Sequence, residues 1–205
     1  MFLATPLAFK IIYTYLPLGI FGAFFLAALG VYFFKLAWLS KILWWGIGVF
    51  SLVYVIRAAY LAWLQYVVWQ GDKMGQFLLP PHQPISYFWQ YVWTHFLMDL
   101  PWIFGGAAML GIIVLVIGII SKGRMADAID AQLAVFGALI VGWPNMLSFF
   151  LTALTITLLG GIVYGIIKRQ KVVTPVTLFF FAGIIIAFFW GTKITELLGL
   201  SQLIV

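Results

Sequence analysis

The sequence predicts an all-α fold: a polytopic membrane helical bundle with about six transmembrane helices and one further helix at the membrane interface. Its 205 residues are 65% hydrophobic and only 8% charged, and aromatic side chains make up 19%. A soluble domain needs about 25% charged residues to cover its surface, so most of this exterior must face lipid. We therefore expect a single integral membrane domain over residues 1–205, with the lipid bilayer as its first partner.

Six spans are predicted by apolar runs that end at charges, prolines or glycine clusters. A helix needs about 20 residues to cross a hydrocarbon core about 30 Å thick. The runs lie at residues 16–34, 42–69, 100–120, 128–142, 146–167 and 175–192. The fourth run is short for a crossing. The first run is longer than the ~7–15-residue apolar core of a signal peptide, so we expect it to be retained as a span.

A loop and an interfacial helix are predicted between the second and third spans. Three prolines between residues 71 and 86 exclude a continuous helix there. The stretch that follows, YFWQYVWTHFLM, is rich in Trp and Tyr, which favour the headgroup level of a bilayer. The sequence therefore predicts a helix that lies at the interface near residues 87–98.

The basic residues predict the orientation of the spans. With alternating crossings, the loops 35–41, 121–125 and 168–171 share one face and hold seven of the 11 Lys and Arg residues, whereas the other face holds three. Because cytoplasmic loops are enriched in Lys and Arg, we expect the seven-cation face to be cytoplasmic, in the cell (inner) membrane of a prokaryote. This distribution accounts for the net charge of +6, so we do not expect nucleic acid as a partner.

Three polar residues in apolar surroundings are candidates for a binding site in a transporter or a lipid-handling protein. Arg57 lies within the second span, where a guanidinium must be paired or must reach the headgroups by snorkelling. His95 and Asp99 are four residues apart, a helical spacing that favours a hydrogen-bonded pair able to relay a proton. The pair would equally suit an interfacial helix that places both side chains near water. No metal site and no cofactor are predicted, because the chain has no cysteine and only two histidines.

Asp127 and Asp130 open the fourth predicted span and are the candidate catalytic residues. They are three residues apart, so they share one face of a helix. Acidic residues in a first helical turn are also favoured by the helix dipole. Capping of the helix at the cytoplasmic boundary is therefore the structural alternative to catalysis.

A pattern of small and polar residues surrounds this acidic pair and continues to residue 192. It consists of Asp130-x-x-Leu133-Ala, Gly137, Gly142-Trp143, a span with small residues, the basic turn KRQK, Thr174-Pro175 and AGIIIAFFWG. Over residues 123–192 it resembles the C-terminal half of type IV prepilin peptidases. In that family a GxGD motif at the cytoplasmic end of a span supplies one of two catalytic aspartates, which activate water against the peptide bond that precedes the pilin's hydrophobic helix. The resemblance implies that Asp130 is the motif aspartate, with Asp127 or an upstream acid as its partner. Alternatively, Met125-Ala126-Asp127 matches the related GAD form of the motif, but the downstream glycines are then out of register.

The sequence departs from that family at several points. The two glycines of GxGD are replaced by Asp127 and Ile129. The zinc-binding cysteine loop of many bacterial members has no counterpart in a chain without cysteine. The upstream acids Asp72 and Asp99 fall on the opposite face of the predicted topology, and the first 120 residues carry no match to the family.

Three functions remain open at this point. The first is a non-catalytic multi-pass membrane protein derived from the prepilin peptidase scaffold, which acts by helix packing with other membrane proteins or in a homo-oligomer. The second is an active intramembrane aspartic peptidase that uses Asp127 and Asp130. The third is a transporter or lipid-handling protein that uses Arg57, His95 and Asp99. The sequence does not decide whether the chain is an enzyme.

Overall fold

The structure, a computed structural model, describes residues 9–123, 125–168 and 176–199. These residues form α-helices with short 3-10 and π-helical turns and contain no β-strand, so the predicted all-α class is confirmed. The α-helices within the described ranges are α1 (Leu16–Phe34), α2 (Leu39–Gly71), α3 (Ile85–Val92), α4 (Asp99–Ile120), α5 (Ala128–Val141), α6 (Asn145–Lys168) and α7 (Val176–Leu197).

Five of the described helices are long and apolar enough to cross a membrane. They are α2, α4, α6, α7 and the continuous helix Ile11–Phe34, which contains α1 and the π-helical turn before it. Their positions match five of the six predicted spans to within a few residues. The chain is therefore a multi-pass helical membrane protein.

The fourth predicted span, residues 128–142, forms α5, which is shorter than a crossing requires. Its 14 residues rise about 21 Å along the helix axis, against a hydrocarbon core of about 30 Å. Nine of these residues are buried, and α5 packs against α2, α4, α6 and α7. A helix enclosed by other helices does not have to match the thickness of the lipid. The described residues thus contain five helices of spanning length rather than six.

Aromatic side chains fill the core around α5. Phe136 of α5 packs against Phe50 of α2, with ring centroids 5.1 Å apart, and Phe149 of α6 packs against Phe180 of α7 at 5.8 Å. All four rings are fully buried. Gly46 of α2 lies directly under the Phe136 ring, since a Cβ built at Gly46 would be 2.5 Å from Cε2 of Phe136. A glycine at this position lets α2 and α5 approach closely, as is typical of helix packing in membranes.

The predicted interfacial segment is helical. It consists of α3 and the π-helical turn Trp93–Leu97. This segment packs on the C-terminal part of α2 through a second, smaller core, formed by Ala62, Trp69, Leu79, Phe88 and Val92. Tyr87, Trp89 and Trp93 remain exposed. Such rings suit a helix that lies among lipid headgroups.

The polar end of the last span, GTKITELLG, continues as helix to Leu197. Thr195 is buried there, and its hydroxyl lies 2.6 Å from Oγ of Ser148 and 3.1 Å from Oδ1 of Asn145, both on α6. It also lies 2.8 Å from the carbonyl oxygen of Gly191, one turn earlier on α7. These bonds tie the end of α7 to the start of α6, which explains why the helix passes the predicted boundary at residue 192.

Candidate functional site

Asp127 is the N-cap residue of α5. Its backbone is extended, and its Oδ1 accepts hydrogen bonds from the amides of Ile129 at 2.8 Å and Asp130 at 2.9 Å. In return, Oδ2 of Asp130 accepts a hydrogen bond from the amide of Asp127 at 3.1 Å. This reciprocal arrangement is a capping box, which satisfies amides that the start of a helix leaves without partners.

The other carboxylate oxygen of Asp130 binds a different helix. Thr177, in the first turn of α7, donates a hydrogen bond of 2.7 Å to Oδ1 of Asp130. Asp130 is only 5% exposed, so this bond lies inside the bundle. Both oxygens of Asp130 act as acceptors, which is the role of an ionised carboxylate. The Thr174-Pro175 part of the prepilin-peptidase-like pattern, and the basic turn at residues 169–171, lie outside the described residues.

Asp99, one of the upstream acids considered as a catalytic partner, lies far from Asp130. It occupies the first turn of α4. Gly118, near the other end of α4, touches the backbone of Ala126 just before α5. The nineteen residues from Asp99 to Gly118 correspond to about 28 Å of helix. The carboxyl groups of Asp99 and Asp130 are therefore at opposite ends of α4.

Asp72 and Glu196 are also remote from the acidic pair. Asp72 follows the C-terminal end of α2, about 33 Å along that helix from the contact that Phe50 makes with α5. Glu196 lies in the last turn of α7, whereas the first turn of α7 adjoins Asp130. All five carboxylate side chains of the sequence belong to described residues, and Asp127 alone adjoins Asp130.

Arg57 lies in α2 and contacts aromatic rings. The Cζ atom of its guanidinium is 4.1 Å from the ring centroid of Tyr13 and 5.9 Å from that of Tyr54. Its Nε is buried and makes no hydrogen bond within the described part of the chain. Tyr13 belongs to the π-helical turn Ile11–Tyr15 that precedes α1.

His95 and Asp99 do not form the hydrogen-bonded pair that was one of the two interpretations of their spacing. Nδ1 of His95 lies 2.9 Å from the carbonyl oxygen of Tyr91, and the His95 ring stacks on the Tyr91 ring at 4.0 Å. The π-helical turn Trp93–Leu97 holds more residues per turn than an α-helix, so a spacing of four no longer superposes the two side chains. Both side chains are exposed.

Two apolar cavities on the surface of the described bundle bear on the transport hypothesis. One has a volume of about 350 Å³ and lies between α1 and α7. The other has a volume of about 470 Å³ and lies along one face of α2, beside Lys41. Arg57, His95 and Asp99 line neither cavity, so these three residues do not share a pocket at either place.

The sequence did not identify Thr177 and Tyr13 as the partners of Asp130 and Arg57. Each partner lies far along the chain, and neither residue type is unusual in an apolar run. Pro175 was the available signal for Thr177, since a proline favours the start of a helix and so places the residues after it in a first turn.

Comparisons with known proteins identify no relative. No protein-family model matches the chain, and neither a curated protein nor a solved structure matches it significantly. Within the described residues, no group of three or more His, Asp and Glu side chains is placed to hold a metal ion.

Proposed function

We propose that this multi-pass membrane protein is a non-catalytic, degenerate relative of the prepilin peptidases that acts by packing with other membrane proteins. The observation that carries the proposal is the role of the acidic pair in the fold. Asp127 caps α5, and Asp130 both completes the cap and joins α5 to α7 through Thr177. The two carboxylates that resemble a catalytic motif serve the architecture of the bundle.

The geometry of the pair does not suit an aspartic peptidase. Such an enzyme needs two carboxylates that face a shared water molecule and hold one proton between them. Asp127 and Asp130 lie in the same helical turn, and three of their four oxygens accept hydrogen bonds from the protein itself. Asp72, Asp99 and Glu196 are too distant to supply a second carboxylate for either of them.

Substitution by asparagine separates a structural aspartate from a catalytic one. Asparagine caps helices as well as aspartate does, so Asp127→Asn should keep the cap and the fold. In Asp130→Asn, the side-chain oxygen can accept from the Asp127 amide while its NH₂ donates to the Thr177 hydroxyl. An amide takes up no proton at neutral pH, so either change would abolish acid–base catalysis.

The test is co-expression of a prepilin with the wild type, Asp127→Asn or Asp130→Asn, beside an authentic prepilin peptidase as the positive control. We expect no cleavage product with any form of this chain, and a melting temperature of Asp127→Asn within about 2 °C of the wild type. Cleavage by the wild type that both asparagine variants lose while remaining folded would overturn the proposal.

The packing role has its own test. The full chain is extracted from native membranes in polymer nanodiscs without detergent, and the protein content of each particle is determined by mass photometry and mass spectrometry. We expect particles that contain a second membrane protein or a second copy of the chain. Particles with one chain and lipid alone would contradict this part of the proposal.

A further inference from the structure

Arg57 is a cation inside a long apolar helix and has no counter-ion among the described residues. All five carboxylate side chains belong to described residues, and none forms a salt bridge with Arg57. Its contacts are the rings of Tyr13 and Tyr54. An arginine within a span is costly unless it is paired or reaches the headgroups, so it indicates an anion supplied from outside the chain.

The guanidinium is enclosed on one side and open on the other. The Nε atom is buried and has no hydrogen-bond partner within the described residues. Neither Nη atom is buried without a partner in this way, and Arg57 as a whole is half-buried. The hydrogen-bond donors open to a ligand are therefore those of the two Nη atoms. A guanidinium lacks any acceptor, so the ligand must supply acceptor oxygens.

The position of Arg57 along α2 places it close to the headgroups of one leaflet. Lys41 lies over the ring of Trp38, with Nζ 5.0 Å from the ring centroid, and marks the opposite headgroup level. Arg57 follows sixteen residues later, about 24 Å along the helix, in a hydrocarbon core about 30 Å thick. The length of an arginine side chain is sufficient to cover the remaining distance.

The residues around Arg57 agree with this depth. Tyr15 and Trp63 are exposed, and the ring of Tyr60 stacks on that of Trp63 at 6.0 Å. Tyrosine and tryptophan gather at the headgroup level of membranes. Lys10, which is also exposed, adds a second positive charge at this end of the N-terminal helix.

Tyr13 packs against the guanidinium of Arg57. The Cζ atom of the cation lies over the tyrosine ring, 4.1 Å from its centroid, so Tyr13 covers one side of the guanidinium. Hydrogen bonds of arginine lie in the guanidinium plane, where two parallel N–H groups match two oxygens of a phosphate. The π-helical turn Ile11–Tyr15, a form often found at functional sites, holds the ring at this place.

We propose that Arg57 binds the phosphate of a phospholipid headgroup, with its Nη atoms donating to two phosphate oxygens. A phospholipid is favoured over a soluble anion because a bilayer presents its phosphates at the level that the side chain reaches. Binding would anchor α2 to one leaflet through a charge that the bundle itself does not neutralise. The inference does not depend on the proposed function, since it concerns neither Asp127 nor Asp130.

The test is native mass spectrometry of the detergent-purified full chain with four probes: phosphatidylglycerol, phosphatidylcholine, a digalactosyl diacylglycerol with the same acyl chains, and inorganic phosphate. We expect the wild type to retain both phospholipids about tenfold better than the galactolipid, which has no phosphate. Arg57→Gln should lose about that factor, and Arg57→Lys should fall between because it keeps the charge but not the planar fork. Lys73→Gln, in the exposed loop after α2, is the matched control and should retain lipid as the wild type does.

Equal retention of galactolipid and phospholipid by the wild type would overturn the assignment. Unchanged phospholipid retention in Arg57→Gln would do the same. Binding of inorganic phosphate that needs Arg57, without preferential retention of phospholipid, would identify a soluble anion as the ligand and contradict the lipid. Should Arg57→Gln fail to fold, the comparison of the wild type with Arg57→Lys decides the matter, and equal phospholipid retention by those two would reject the proposal.

Discussion

Thr177 donates a 2.7 Å hydrogen bond to the buried carboxylate of Asp130 and so joins the first turn of α7 to the first turn of α5. The two residues are 47 positions apart in the chain. The same carboxylate accepts the amide of Asp127 and closes the cap of α5. A single side chain thus couples the start of the short central helix to the position of the last helix.

The contribution of this bond to stability is measured by Thr177→Val, which removes the donor and keeps the shape of the side chain. A hydrogen bond to a charged group contributes about 1.5–3 kcal/mol, so we expect a loss of unfolding free energy in that range, determined by denaturation in detergent micelles. Thr155→Val is the control, because Thr155 is exposed and binds only the carbonyl of Leu151 on its own helix. The control should change the unfolding free energy by less than about 0.5 kcal/mol. Equal effects of the two substitutions would show that the bond between α5 and α7 adds nothing.

The long spans were predictable because lipid imposes a strong constraint on helix length and polarity. The predicted run 100–120, for example, agrees with the bounds of α4 to within one residue. The length of α5 was not predictable in the same way. Its apolar residues form the same sequence pattern whether they face lipid or other helices. Only the packing of α2, α4, α6 and α7 around α5 distinguishes the two cases.

The site was predictable only where it depends on local sequence. The capping role of Asp127 involves the residues of one helical turn only, and the sequence indicated this role as an alternative to catalysis. The bond from Thr177 depends on how two helices pack, which no local pattern encodes. Of the two interpretations of His95 and Asp99, the hydrogen-bonded pair is not formed, because the spacing rule assumes an α-helix, whereas a π-helical turn lies between the two residues.

A second prediction concerns the close approach of α2 to α5. Gly46→Ala places a methyl group against the buried ring of Phe136, and overpacking of this kind costs about 1–3 kcal/mol. Gly48→Ala, two residues along the same helix, meets no atom within 4 Å and should be neutral or stabilising by up to about 1 kcal/mol, because alanine favours helix over glycine. Thermal unfolding of both variants in the same detergent gives the comparison. A Gly46→Ala protein as stable as Gly48→Ala would mean that the two helices are not in this contact.

A third prediction concerns the hydroxyl of Tyr54, which donates a 2.8 Å hydrogen bond to the carbonyl oxygen of Leu139 near the end of α5. Tyr54→Phe keeps the ring and removes the donor, so we expect a loss of about 1 kcal/mol in unfolding free energy. Tyr66→Phe is the matched control on α2, where the ring packs against Phe88 and the hydroxyl makes no hydrogen bond with the described residues. Unfolding free energies of both variants are compared with the wild type. Losses of the same size in both would assign the effect to the aromatic change rather than to the bond with Leu139.

The orientation of the spans is tested with single cysteines, which are the only thiols in a chain that has none of its own. Gln83 and Met125 are both exposed and are separated by one candidate span, α4, so we expect cysteines at these positions to lie on opposite sides of the membrane. The six-span topology predicted from the sequence puts the loop at 121–125 on the face rich in Lys and Arg, so we expect Met125→Cys to be cytoplasmic. A membrane-impermeant maleimide added to intact spheroplasts should then label Gln83→Cys and should reach Met125→Cys only after the membrane is opened. The reverse pattern would invert the topology, and labelling of both cysteines from outside would contradict the crossing by α4 itself.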